Sequence, residues 1–157
     1  MRKLVRELSP FTFCVQETKL VVCDDSLCAF LWGDTIYAYS YRPLVGASGG
    51  LLSMWDTMEV EVWSSVGVKH VLQIHGRFIQ TNEEFYLFNI YAPCDVRAKH
   101  ELWVSLSARL QVLRGKKVCV CGDFNTVWCG EERRSQCGGG GCRKKTINFA
   151  ILSMIMG

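Results

Sequence analysis

Glu59-Val60-Glu61-Val62-Trp63 alternates strictly between polar and apolar residues. That is the period of a strand with one face buried, as in antiparallel sheets. The same reading extends along much of the chain. Phe11 to Val15 is a short run of aromatic and β-branched residues and predicts a strand. Thr35 to Tyr41 alternates and is rich in tyrosine, so it predicts a second. Ser48-Gly49-Gly50 reads as a turn, and Leu51 to Trp55 follows it as a strand. Val68 to Phe78 predicts another strand, on which His70 and His75 have opposite parity and point to opposite faces. Asn82-Glu83-Glu84 is the next turn. Phe85 to Tyr91 is strongly apolar and ends at Ala92-Pro93.

Helical spacing occurs in fewer places. Leu4, Val5 and Leu8 fall on one side of a short amphipathic helix over residues 1–9, which Pro10 stops. Leu102, Leu106, Leu110 and Leu113 recur at i, i+4, i+8 and i+11, predicting a helix over 97–113. Gly115 ends it, close to where a C-cap glycine belongs. Val118 to Cys121 then predicts a buried strand, closed by Gly122-Asp123-Phe124-Asn125. Residues 129–145 read as a basic loop, and the apolar tail Thr146 to Met156 predicts a final helix. The meander from Thr35 to Tyr91 implies antiparallel pairing. The helix between the strands ending at Tyr91 and Cys121 implies a crossover. The expected fold class is an α/β domain, with mixed sheets and helices packed outside them.

Length and composition narrow the class further. The 157 residues suit one domain, and 49% hydrophobic with 21% charged residues is a globular balance. The longest apolar runs fall short of the ~18 residues a spanning helix needs. The start, MRKLVRELSP, is interrupted by Arg6 and Glu7 and does not read as a secretory signal. The chain is therefore expected to be intracellular rather than secreted. Its net charge of +3 is uneven. Residues 1–115 hold 11 Lys/Arg against 12 Asp/Glu, and residues 116–157 hold 7 against 3. A basic C-terminal third suits a phosphate-bearing partner, although such runs are commonly just a solvated face. The nine cysteines are odd in number, which argues against a disulfide framework. Cys119 and Cys121 read as small apolar strand residues. Cys137 and Cys142 bracket four glycines at a spacing that fits no common zinc pattern.

Two acidic residues directly follow apolar strands: Glu17 in Gln16-Glu17-Thr18-Lys19 and Asp123 in Gly122-Asp123-Phe124-Asn125. Strand ends in α/β folds point loops at a shared crevice, and carboxylates there can hold a hard divalent cation. Spacing alone equally allows turn or cap residues, and by itself favours the turn.

The motifs in order shift that balance. Gln16-Glu17-Thr18-Lys19, Ser48-Gly49-Gly50, Asn89-Ile90-Tyr91-Ala92-Pro93, Gly122-Asp123-Phe124-Asn125 and Glu131-Glu132-Arg133-Arg134 together resemble the endonuclease/exonuclease/phosphatase (DNase I-like) superfamily. Within it, they are most similar to the endonuclease domain of LINE-type non-LTR retrotransposons. The resemblance runs from about residue 4 to residue 150. It implies two mixed β-sheets packed face to face between outer helices, and phosphodiester hydrolysis assisted by Mg²⁺ or Mn²⁺. It also implies roles. Glu17 resembles the metal-binding glutamate. Asp123 resembles the aspartate that orients or activates the water. Asn125 resembles the asparagine that helps hold the phosphoryl oxygens and the water, and Tyr91 resembles the tyrosine whose hydroxyl contacts the phosphate. Lys116, Lys117, Arg133 and Arg134 are candidate phosphate-binding residues, with Arg143 to Lys145 beyond them. DNA, bound weakly and without sequence preference, is the implied partner, and the nucleus the implied compartment.

The same resemblance implies segments the sequence does not contain. An upstream strand with an asparagine and a downstream Ser-Asp-His motif are absent, and His70, His75 and His100 lie mid-chain. The expectation is a single, partial domain over 1–157, degenerate over 129–157 and catalytically inactive. Two alternatives are an active phosphoesterase with another substrate, such as inositol lipids or sphingomyelin, and a non-enzymatic nucleic-acid binder.

Overall fold

The computed structural model describes residues 5, 7–8, 10–33, 35–45 and 48–125, and the backbone of 149–152. Among these, eight strands and two helices run in the order β1 (Thr12–Gln16), α1 (Asp25–Trp32), β2 (Tyr37–Val45), β3 (Ser48–Asp56), β4 (Val60–Val68), β5 (Val71–Phe78), β6 (Glu84–Tyr91), α2 (Val96–Val112), β7 (Lys117–Asp123), β8 (Phe149–Leu152). Val5, Glu7 and Leu8 are also helical, where the short N-terminal helix is predicted.

The strands form two sheets, ordered β2-β3-β1-β8 and β4-β5-β6-β7. The predicted meander therefore divides: β2 and β3 pair in the first sheet, and the chain crosses to the second at β4. All pairings are antiparallel except β6 with β7, which are parallel because α2 returns the chain between them. This is the expected crossover.

Period-2 alternation then builds the layers. Phe13, Val15, Leu52 and Met54 turn to one side of the first sheet and pack under Cys28 and Trp32 of α1. Cys14 and Trp55, on the other side, meet Ile74, Phe85, Leu87 and Cys121 of the second sheet. On that sheet's far face, Phe88 and Ile90 lie against Leu102 and Leu106 of α2. The order is helix, sheet, sheet, helix, and the α/β sandwich expected from the strand pattern is what forms.

Four local expectations are corrected. Ser48-Gly49-Gly50 is the start of β3 rather than a turn, and Gly49 and Gly50 have φ of 101° and 87°. His70 lies in the turn between β4 and β5, off the strand that carries His75. Residues 149–152, read as helix, pair antiparallel with β1. The β1 backbone offers a free ladder there, and tertiary pairing overrides the weak helical pattern of Phe-Ala-Ile-Leu. The Val118–Cys121 strand is half-buried along most of its length, because β7 is the last strand of its sheet. Helix α1 had not been expected. Asp24 caps it by accepting from the Leu27 amide at 2.8 Å. The predicted basic loop at 129–145 lies outside the described residues.

Candidate active site

The first sheet's β1 and the second sheet's parallel β6 and β7 all end at one end of the seam between the sheets. Glu17 follows β1, Tyr91 ends β6, and Asp123 ends β7. Tyr91 and Asp123 are register partners on adjacent strands. The structure thus brings together the residues assigned to metal, phosphate and water.

A buried polar bridge fixes the two sheets in this relation. Asn89 on β6 is fully buried. Its Nδ2 donates to the Leu52 carbonyl at 3.0 Å, to Ser53 Oγ at 3.2 Å and to the Val15 carbonyl at 3.4 Å. Its Oδ1 accepts from Gln16 Nε2 at 2.7 Å. Gln16 immediately precedes Glu17, so this clamp sets the height of the Glu17 loop relative to Tyr91, two residues past Asn89.

The Glu17 loop is held from the other side by the glycines of β3. Glu17 and Lys19 have left-handed backbones, with φ of 53° and 57°. The Thr18 and Lys19 amides donate to the carbonyls of Gly50 and Gly49, at 3.2 and 3.1 Å. A Cβ on Gly50 would lie 2.3 Å from Thr18 Oγ1. Glycine is required there both by the φ and by this close approach. Lys19 Nζ sits 3.0 Å from Glu17 Oε1, a half-exposed pair across one turn of chain.

On the opposite side, Asn125 closes the loop after β7. Its amide N–H donates to Asp123 Oδ1 at 2.9 Å, and its Nδ2 donates to the Ala92 carbonyl at 2.6 Å. Lys99, from the first turns of α2, donates to the Asn125 carbonyl at 2.7 Å. Burial first, then the charges of Glu17, Cys94 and Asp123, push the Tyr91 phenol above its ordinary pKa, while Asn125 acts the other way. Tyr91 therefore keeps its proton at neutral pH and can donate a hydrogen bond to an anionic oxygen.

The donor set suits a hard divalent ion. Among the described residues, no group of three His, Cys, Asp or Glu side chains converges. Mg²⁺ commonly takes one or two carboxylates and completes its shell with water and substrate phosphate. Glu17 is the residue that would hold it, with Asp123 across the seam. Such an ion would polarise a phosphoryl oxygen, Tyr91 would donate to that phosphate, and Asp123 would orient a water.

The two candidate lysines lie elsewhere. Lys116 and Lys117 stand at the start of β7, about 20 Å along the strand from Asp123 at ~3.3 Å per residue. Lys116 Nζ pairs with Glu84 Oε2 at 2.6 Å, and Lys117 pairs with Glu83. Their charge is thus met by carboxylates at the far end of the sheet. Arg133, Arg134 and Arg143 to Lys145 lie outside the described residues. His75 also has a structural role: it stacks on Tyr86 at 4.2 Å and pairs with Glu84 at 2.8 Å. Sequence reasoning quoted Gln16, Asn89, Gly49 and Gly50 within motifs but gave them no task, and it missed Lys99 altogether.

Solved structures share this architecture. The chain is similar to ANGEL2, a 2′,3′-cyclic phosphatase, at 16% identity and a TM-score of 0.64, covering 80% of this chain and 43% of that one. It is similar to TDP2 from C. elegans at 15% identity and 0.59, covering 80% and 41%. It is similar to the mannosyl-6-phosphatase Bt3783 from Bacteroides thetaiotaomicron at 18% identity and 0.59, covering 79% and 54%. The fold is DNase I-like. The chain spans about half the length of these structures or less. No protein-family model matches the sequence, and no curated protein does. Among the described residues, no helix is long and apolar enough to cross a membrane.

Proposed function

We propose that this chain is a retrotransposon-type endonuclease domain. On this reading it keeps the metal- and phosphate-binding part of a phosphodiesterase site but, as these 157 residues, turns over at background. One observation carries the reading: Glu17, Tyr91, Asp123 and Asn125, far apart in sequence, meet at one end of the inter-sheet seam. Glu17 holds Mg²⁺ or Mn²⁺, Asp123 and Asn125 position a water, and Tyr91 binds the phosphate. Residues 1–157 contain no Ser-Asp-His, the motif that the resemblance calls for. Loss of one transition-state donor costs about 10²–10³ in rate. The substrate is DNA, bound without base-specific contacts, and the site of action is nuclear.

The test is nicking of supercoiled plasmid with Mg²⁺ or Mn²⁺. The chain and its Asp123→Ala variant are expected to nick at the same, background rate. Nicking that requires both Glu17 and Asp123 would overturn the inactivity and leave the site assignments as catalytic ones. A second reading has support from two fold neighbours, the 2′,3′-cyclic phosphatase ANGEL2 and the mannosyl-6-phosphatase Bt3783. It is a metal-dependent phosphoesterase acting on small esters, and Asp123-dependent release of phosphate from such esters would favour it.

A further inference from the structure

Arg42 lies on β2 with the same parity as Ala38 and Ser40, which face the second sheet, Ser40 through a 2.6 Å hydrogen bond with Ser65 on β4. It is half-buried. Two glycines make room for it. A Cβ on Gly67 of β4 would sit 3.5 Å from the Cβ and Cγ of Arg42. A Cβ on Gly49 would lie 3.7 Å from Arg42 Nη1 and 3.9 Å from Tyr91 Cδ1. The aliphatic stem thus lies on one glycine, and the guanidinium and the Tyr91 ring both border the other.

Among the described residues, this guanidinium has no ion pair or hydrogen bond. The other cations on this side give it nothing. Lys69 pairs with Glu101 at 3.8 Å, and Lys19 with Glu17. His70 faces Arg42 from the β4–β5 turn, and its carbonyl accepts from the Tyr91 amide at 3.0 Å. Burial, then the charges of Arg42 and Lys69, push the imidazole below its ordinary pKa, so it stays neutral. A partly desolvated, unpaired charge is unfavourable and calls for an anion from outside. The planar fork of arginine matches the oxygens of a phosphate.

We infer that Arg42 binds the phosphate next to the reacting one, and so selects a polynucleotide chain over a monoester. This rests on the phosphodiesterase reading above and narrows its substrate. With Tyr91 on the reacting phosphate, a nucleic-acid strand running across the mouth of the seam presents its neighbouring phosphate to Arg42. A mononucleotide has no such group to offer.

The experiment is fluorescence anisotropy with a labelled, cleavage-resistant phosphorothioate oligodeoxynucleotide of about ten nucleotides in Mg²⁺, against a salt series. Unlabelled thymidine monophosphate serves as competitor. Arg42→Ala should weaken oligonucleotide binding about tenfold and lower the salt slope by about one, as loss of one phosphate contact does. Arg42→Lys should recover part of both. The competitor should act equally on wild type and Arg42→Ala, and Lys117→Ala should bind like wild type. Near-UV circular dichroism confirms that the variants are folded. Oligonucleotide binding unchanged in Arg42→Ala overturns the inference and leaves the phosphodiesterase reading standing. Equal loss of oligonucleotide and mononucleotide moves Arg42 to the reacting phosphate and also overturns it. A wild type that binds neither ligand overturns the phosphodiesterase reading itself, and this inference with it.

Discussion

Asn89 shows how one polar side chain can organise a site from inside the core. Three donor contacts and one acceptor contact tie β6 to β1 and β3 across the seam. Replacing it with alanine leaves the Gln16 amide and the main-chain carbonyls without these contacts. Each buried group left unpaired costs ~1–3 kcal/mol. Asn89→Ala should therefore lower stability by about 2–4 kcal/mol in urea unfolding, and a loss below about 1 kcal/mol would mean that water replaces the amide there. The sequence placed Asn89 inside a motif but could not show this. Its partners are 36 to 74 residues away, and only pairing of the sheets defines them. Glu17 and Asp123 were easier to read, because each directly follows a strand that its own apolar pattern reveals. Arg42 gave no signal, since the glycines that shelter it sit on two other strands.

At the scale of elements, strands with strong alternation were legible and the ends of elements were not. Val60–Trp63 and Val71–Phe78 are strand where their patterns predict it, whereas β4 runs on through residues 64–68 and the turn expected at Ser48–Gly50 became strand. Glycine pairs are ordinary in turns, and nothing local distinguishes a turn from a strand that must approach another backbone. Gly122 is a second case. It has φ 143°, and a Cβ there would meet the Ile90 carbonyl oxygen at 2.0 Å. Gly122→Ala must therefore part β7 from β6 just before Asp123. The expected outcome is destabilisation of more than about 2 kcal/mol by denaturant titration. A variant as stable as wild type would show that the two strands can separate without cost at this point.

Across the whole molecule, charge is divided between the two ends of the second sheet. The acid-bearing seam mouth lies at one end, and the Lys116–Glu84 and Lys117–Glu83 pairs at the other. Hydrogen bonds from Lys116, then His75 and Tyr86, hold the Glu84 carboxyl down to about 2. A carboxylate with a depressed pKa stabilises the fold above its ordinary pKa, and that contribution fades as pH falls through the folded value. Wild type should thus lose stability between about pH 4.5 and about 2, and Glu84→Gln should lose less over the same interval. Parallel pH curves for the two would show that the carboxylate is no better held in the folded chain than in the unfolded one.

β1 is a central strand flanked by partners of very different separation. Its register joins Thr12 to Trp55 on one side and to Leu152 on the other. During synthesis, β4, β5 and β6 can pair with near neighbours as soon as they leave the ribosome. One side of β1 stays open until residue 152 has been made. Such distant closure is slow, and an open strand edge is a place where nascent chains pair with each other. The yield of folded protein should therefore depend on how long β1 waits, which makes translation rate between residues 55 and 152 a determinant of whether the seam is built at all.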